Sequence, residues 1–365
     1  MATSMSLLQG QLRFLNENGF EVLAVANGED ALREVQRTEG VRTQHIAMHR
    51  EISLRADLRS LFDLVRLFRR EKPDIVHANT PKGSLLAMMA AWLCRVPVRI
   101  YTVTGLRFET ATGNFRRLLI TMERIACWCA TTVIPEGEGV KKTLIRERVT
   151  SKPLEVVLNG NINGIDLTHF NPDAVQPASP SPDFTFIFVG RIVRDKGIAE
   201  LVTAFTKLHT SHPNTRLILL GAFEPELDPL PNETVHAIQS HPAIVTPGSV
   251  NDVRPWLKSA DVLVHPSYRE GFPNVVLEGT AMGLPCVVTD INGSNEIIVE
   301  GKNGIIVPKQ DANALANAMT RLCENAAMRN TIAAAARPMT ADRYNRPDVH
   351  RAILARYRAL TANLK

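Results

Sequence analysis

Aromatic residues are scarce in this 365-residue chain, at 5%, and no apolar run approaches the length of a membrane span. The first scarcity speaks against a stacking surface for single-stranded nucleic acid, the second against a bilayer-crossing helix. No charged-then-apolar leader opens the sequence, so the protein is expected to be made and kept in the cytoplasm. Cysteine is scarce too. Cys94, Cys127, Cys129, Cys286 and Cys323 are odd in number and form no CxxC pair, which points to free, reduced thiols rather than disulfides or metal ligands.

What is present is ordinary for a globular protein: 45% apolar and 22% charged residues. The length is large for one core, so two domains are the expectation. A formal charge of +5 is mild, and it sits mostly in the first half, the side better suited to an anionic surface. It makes a poor case for nucleic acid.

Short apolar strands alternate with amphipathic helices, the sign of α/β units with parallel sheets. The first half reads as strands at 21–26, 75–78, 98–103, 131–135 and 154–158, with helices near 7–18, 56–71, 82–94, 114–129 and 138–147. A second set has strands at 184–189, 215–220, 244–246, 262–265, 285–289 and 304–307, with helices near 197–209, 253–259, 274–282, 292–298, 312–325 and 328–336. Residues 171–183 carry Pro172, Pro177, Pro180 and Pro182 without periodicity and read as a linker. The expected division is an N-terminal domain 1–172, a linker 173–183, a second domain 184–340 and a C-terminal stretch 341–365 whose helix packs back on the first domain. Residues 1–6 run straight into a helix, so the usual opening strand is missing; either the chain starts late or the first sheet is unusual.

Residues 269–278, REGFPNVVLE, place Glu270 and Glu278 on either side of a Gly-Phe-Pro-Asn turn, with Pro273 suited to the start of a helix. Both carboxylates could face one pocket at a helix N-terminus, where free N–H groups attract phosphate. Such a site fits a sugar nucleotide, which has hydroxyls at both ends and a diphosphate between. In 188–197, FVGRIVRDKG, a strand ends at Gly190, and Arg191 and Lys196 precede a helix opening near Gly197, a suitable clamp for a diphosphate. Gly293, Ser294 and Asn295 open a further helix, with Glu296 structural.

The motifs VGRIVRDKG, ADVLVHPSYREGFPNVVLEGTAMGLPCVVTD and NGIDLTHFNP resemble those of glycosyltransferase family 4, retaining enzymes of the GT-B fold. The likeness covers nearly the whole chain and is nearest to bacterial enzymes of surface-polysaccharide assembly. It implies an α/β architecture of two Rossmann-like, doubly wound domains facing a cleft, and transfer of a sugar from a nucleotide-diphosphate sugar to a glycan or polyprenyl-linked acceptor. By the resemblance, Glu270 holds donor-sugar hydroxyls, and the backbone of Gly271, Phe272, Pro273 and Asn274 lines the sugar and phosphates. Glu278 accepts from the ribose, and Arg191 and Lys196 neutralise the departing diphosphate. No metal or other cofactor is expected, in line with the lack of a DxD triplet.

On the acceptor side the candidates are His77, Thr104, Arg107 and Glu109. Thr104 stands where relatives often have His, and His77 reads either as its substitute or as a hydrogen-bonded structural histidine. Glu136 and Glu138 contact the acceptor or cap the helix that follows. His265, ending an apolar strand, reads as structural. Arg116, Arg117, Arg124, Lys141, Lys142, Arg146 and Arg148, beside Leu118, Leu119, Ile120 and Trp128, suggest a face for an anionic inner leaflet. Two alternatives stay open: a sugar-nucleotide 2-epimerase or hydrolase of the same fold, and a non-catalytic sugar-nucleotide-binding relative.

Overall fold

The computed structural model describes residues 7–48, 53–226, 228–362 and 364. Residues 1–6, on which the expectation of an abrupt start rests, lie outside them. The chain divides into two compact units, Met1–Gly164 with Arg346–Lys365, and Ile165–Asn345.

In the first unit β1 (Leu23–Ala26) pairs in parallel with β2 (Arg42–His45), and β3 (Ile75–Ala78), β4 (Val98–Val103) and β5 (Thr132–Pro135) form a second parallel ladder in that order. The connecting helices are α1 (Gln11–Glu17), α2 (Glu29–Glu39), α3 (Leu54–Glu71), α4 (Pro81–Leu93), α5 (Gly113–Cys129) and α6 (Glu138–Arg146). Leu64, Leu67 and Phe68 of α3 share a core with Met88, Ala90 and Ala91 of α4 and with Ala126 and Cys127 of α5. The expected strand at 154–158 is reduced to one bridge, Leu154 to Val133, because Leu158 turns the chain at a left-handed φ of 52°.

In the second unit, β6 (Phe184–Val189), β7 (Thr215–Leu220), β8 (Ile244–Gly248), β9 (Val262–His265), β10 (Cys286–Thr289) and β11 (Gly304–Val307) make one parallel sheet in the order β11-β10-β9-β6-β7-β8. Their near-continuous apolar runs suit strands covered on both faces. Helices α7 (Ile198–Ser211), α8 (Asn232–Ser240), α9 (Arg254–Leu257), α10 (Asn274–Ala281), α11 (Ser294–Ile297), α12 (Ala312–Glu324) and α13 (Ala326–Tyr344) supply that cover. The strand order reverses between β6 and β9, the switch point at which ligands of doubly wound sheets bind.

The unit boundaries fall at 164/165 and 345/346, and side chains explain why. Ile165, Phe170 and Tyr344 are buried in the core of the second unit. The proline-rich run is tied down there as well: the Ala178 N–H donates to the Pro255 carbonyl at 2.9 Å, and Arg216 Nη1 donates to Ser179 Oγ at 3.0 Å. The last helix, α14 (Arg346–Thr361), belongs to the first unit, where Val349, Ile353, Leu354 and Tyr357 cluster with Leu15, Val98, Ile100 and Ile134.

Candidate donor site of the second unit

The loop after β6 is shaped by close approaches that only glycine permits. Gly190 and Gly221 both have φ of 150°, and a Cβ on Gly221 would sit 1.9 Å from the Gly190 carbonyl oxygen. After a 3-10 turn over Arg194–Lys196, Gly197 (φ 70°) backs onto the loop after β9; a Cβ there would lie 2.1 Å from the Pro266 carbonyl oxygen. Because Gly197 occupies this left-handed position, α7 opens one residue later than expected, at Ile198.

The two loops are further pinned together. The Tyr268 N–H donates to the Asp195 carbonyl at 2.9 Å, and Arg269 Nη2 pairs with Asp195 Oδ2 at 3.0 Å. Tyr268 Oη donates to the Glu200 carboxylate at 2.7 Å. This bracing carries Lys196 to Glu270. Lys196 Nζ donates to Glu270 Oε1, the same oxygen that lies 3.1 Å from His265 Nε2.

Lys196 and Glu270 are mostly buried and His265 is buried. Burial pushes the Glu270 carboxyl up, yet the Lys196 charge and the His265 hydrogen bond outweigh it and hold Glu270 well below the usual carboxylate range. Burial also lowers the His265 pKa, so the ring is neutral and donates from Nε2 to the ionised Glu270. Its face stacks on Phe188, with centroids 6.1 Å apart and planes 5° from parallel. Reading His265 as a strand-end residue missed this contact. The available signal was its place five positions before Glu270, across one turn.

Glu278 lies in α10, and its surroundings are the opposite. Its carboxyl group has no hydrogen bond or counter-ion among the described residues, and burial raises its pKa to about 7. Ahead of it, Gly293 (φ 74°) presses on the Gly271–Pro273 backbone; a Cβ would come within 2.5 Å of the Gly271 carbonyl oxygen. The Phe272 side chain turns into the core edge-on against Tyr344, leaving only its backbone to the loop surface. Asn274 opens α10. Glu296 accepts from the Gly293 N–H at 3.2 Å and caps α11. Arg191 stands apart from Lys196: its Nη1 pairs with Glu224 Oε2 at 3.1 Å.

In the first unit, His77 at the end of β3 has both ring nitrogens engaged, Nδ1 with Tyr357 Oη and Nε2 with Thr102 Oγ1 at 2.7 Å. Burial lowers its pKa to about 4. It is a hydrogen-bonded neutral imidazole that lines a small cavity with Asn79, Glu136 and Asn161. Thr104 Oγ1 donates to the Asn79 carbonyl at 2.6 Å, Glu109 accepts from Thr143 at 3.1 Å, and Arg107 is exposed. Glu136 is buried, whereas Glu138 sits in the first turn of α6 and pairs with Lys141 at 3.0 Å. In the suggested basic face, Leu119 and Ile120 are core residues, while Leu118 and Trp128 are exposed. Among the described residues no helix is long and apolar enough to cross a membrane, and no group of three or more His, Cys, Asp or Glu could hold a metal.

A family model for group 1 glycosyl transferases matches residues 183–325, and one for a glycosyl transferase 4-like domain matches residues 8–160. The capsular polysaccharide biosynthesis glycosyltransferase CapM of Staphylococcus aureus is 33% identical over 91% of this chain and 88% of its own length. The UDP-Gal:alpha-D-GlcNAc-diphosphoundecaprenol alpha-1,3-galactosyltransferase of Escherichia coli is 30% identical over 76% of this chain and 73% of its own. Among solved structures, Anabaena HepE in complex with UDP and glucose superposes with a TM-score of 0.78 at 19% identity, covering 96% of each chain.

Proposed function

This chain belongs to glycosyltransferase family 4, the group 1 enzymes of the GT-B fold, and we propose that it moves a hexosyl or N-acetylhexosaminyl group from a nucleotide-diphosphate sugar to a glycan or polyprenyl-linked saccharide, with retention, in surface-polysaccharide synthesis. One observation carries the donor half: Lys196 and Glu270 meet, braced by His265, at the switch point of the second sheet. An ammonium has three donors, so Lys196 can keep Glu270 and still take a diphosphate oxygen. Arg191, on the same loop, supplies a second cation. Fixed positive charge at the departing diphosphate stabilises the transition state and does the work of a divalent ion. Glu270, held ionised, accepts from sugar hydroxyls; Glu278, lacking a partner of its own, accepts from the ribose; the Gly271–Asn274 backbone borders both.

The acceptor oxygen bonds to the anomeric carbon on the face from which the diphosphate leaves. The anomeric C–O bond to phosphate breaks with its electron pair on the diphosphate, which takes the acceptor proton. No protein nucleophile is required, so Glu270 has no covalent role of the retaining-glycosidase kind. The names of the Staphylococcus and Escherichia relatives support a capsule-type or lipid-linked acceptor, and such an acceptor would bring the protein to the cytoplasmic face of the membrane. In the first unit, Thr104, Arg107 and Glu109 remain candidates for acceptor contact, while His77, already doubly bonded, serves better as a wall than as a base.

The test is transfer from a panel of UDP-sugars to a diphosphoundecaprenol-linked saccharide, with the product anomer read by NMR. Wild type should transfer with retention in EDTA, and Lys196→Ala should lose about 100-fold or more in kcat, the scale of one lost oxyanion donor. An inverted product, or rapid epimer formation from the sugar nucleotide without acceptor, would sink the proposal.

A further inference from the structure

Arg191, Arg194 and Lys196 follow β6 in close succession, and each meets a carboxylate. Lys196 has Glu270, from the loop after β9. The other two are met from the loop after β7, which the close approach of Gly221 to the Gly190 carbonyl brings alongside. A diphosphate therefore enters a site whose cations are already paired, and one of the pairs has to yield to it.

The pairs differ in how firmly they are held. Asp228 makes three contacts: Oδ1 accepts from Arg194 Nε at 3.1 Å, Oδ2 from the Asp195 N–H at 2.7 Å, and its carbonyl from the Arg194 N–H at 3.2 Å. It ties one loop to the other. Lys196 and Glu270 are only 16% and 18% exposed, with His265 on the same carboxylate oxygen. Arg191 and Glu224 share a single contact, Nη1 to Oε2 at 3.1 Å, and are 35% and 30% exposed. Water competes for both partners of such a pair, so it is the weakest of the three.

The backbone on either side of Glu224 is nevertheless held. The Ile192 N–H donates to the Ala222 carbonyl at 2.8 Å, and Ile192 bridges to Phe223; beyond Glu224 stands the anchored Asp228. The Glu224 side chain can leave Arg191 while its loop stays in place.

We propose that Glu224 is a displaceable counter-ion, holding Arg191 until a diphosphate takes its place and so setting how tightly the donor site keeps its nucleotide. This deepens the proposed function and rests on it, since it takes Arg191 as a diphosphate ligand. A guanidinium binds phosphate best as a two-pronged fork. A carboxylate left on one prong would make two anions share one cation, and turning Glu224 to water removes that conflict. The exchange matters most after transfer. The freed nucleoside diphosphate is more negative than the sugar nucleotide, because its terminal phosphate ionises a second time at about pH 6. The return of Glu224 to Arg191 helps to expel it.

The experiment is calorimetric titration of the full-length protein with UDP, GDP, ADP and dTDP, at low and high salt, joined to donor kinetics. Glu224→Gln should bind the preferred nucleotide about fivefold more tightly, the scale of one exposed ion pair, and should lower the donor KM without raising kcat. The gain should shrink in high salt. In an Arg191→Gln background the same change should shift affinity by less than about twofold. Glu226→Gln removes an equal charge from an exposed position on the same loop and should also stay within about twofold. Weaker binding in Glu224→Gln would overturn the proposal, since Glu224 would then be a support that positions Arg191. An equal gain with and without Arg191 would overturn it too, by reducing Glu224 to bulk charge. Failure of the wild type to bind any of the four nucleotides would overturn the donor-site reading itself, and this inference with it.

Discussion

Two carboxylates eight positions apart occupy opposite electrostatic environments. Glu270 is buried but ionised, because Lys196 and His265 share its Oε1. Glu278 has no such partner, and burial lifts its carboxyl to about 7. Pairs of acids pushed apart in this way mark a working site. A raised carboxyl pKa stabilises the fold below the unfolded value near 4.5, and that contribution is lost as pH rises through about 7. Glu278→Gln removes the dependence. We expect equal melting temperatures for the two proteins at pH 5 and a variant melting about 2–4 °C higher at pH 8, for roughly 1 kcal/mol after discounting partial exposure. Nucleotide affinity should fall about tenfold in the same variant. Parallel melting curves from pH 5 to 8 would show that Glu278 is not desolvated. Sequence made these residue types and their loops legible. It did not show that Lys196 bonds Glu270 while Arg191 turns to Glu224, since such pairing depends on backbone paths set by distant glycines.

At the scale of elements, strands β3, β4, β6, β7, β9 and β11 could be read to the residue, and for β4, β6, β7 and β9 the reason is an apolar run buried on both faces, which leaves little choice of period or end. Two of the missed elements share a cause. Strand β2 is Arg-Thr-Gln-His and α2 is mostly polar, so tertiary pairing rather than pattern decides them. The loop between β6 and α7 gives the sharpest element-level test. In Gly197→Ala the new Cβ meets the Pro266 carbonyl at 2.1 Å in a left-handed backbone, whereas Gly283, also left-handed at φ 81°, has nothing within 4 Å. Urea denaturation should show Gly283→Ala costing about 1 kcal/mol and Gly197→Ala about 3 kcal/mol. Transfer activity should fall only in Gly197→Ala, because that loop positions Lys196. Equal costs would mean that conformation alone, without the Pro266 contact, governs both sites.

For the whole molecule, alternation of strands and helices announced two doubly wound halves, and a helix left over after the second set pointed to a return of the chain. Where the halves divide was not legible. A proline-rich run looks like a linker in composition, and only the contacts of Ala178 and Ser179 show it bound to the second unit. The consequence is an asymmetry in dependence. The second unit is one continuous segment whose ends meet, the Ile165 N–H donating to the Tyr344 carbonyl at 2.7 Å. The first is completed by α14, which buries Val349, Ile353, Leu354 and Tyr357 and holds His77 through the Tyr357 hydroxyl. Burying a large apolar side chain contributes about 1.5–3 kcal/mol, so these four amount to roughly 6–12 kcal/mol, as much as a whole domain's stability. Ending the chain after Asn345 should therefore unfold the first unit and spare the second. Calorimetry should show the loss of one transition and survival of the other. Tyr357→Phe, which removes only the hydroxyl, should lower the first unit's stability by about 1–2 kcal/mol. Two intact transitions in the truncated chain would mean that α14 covers a core already complete without it.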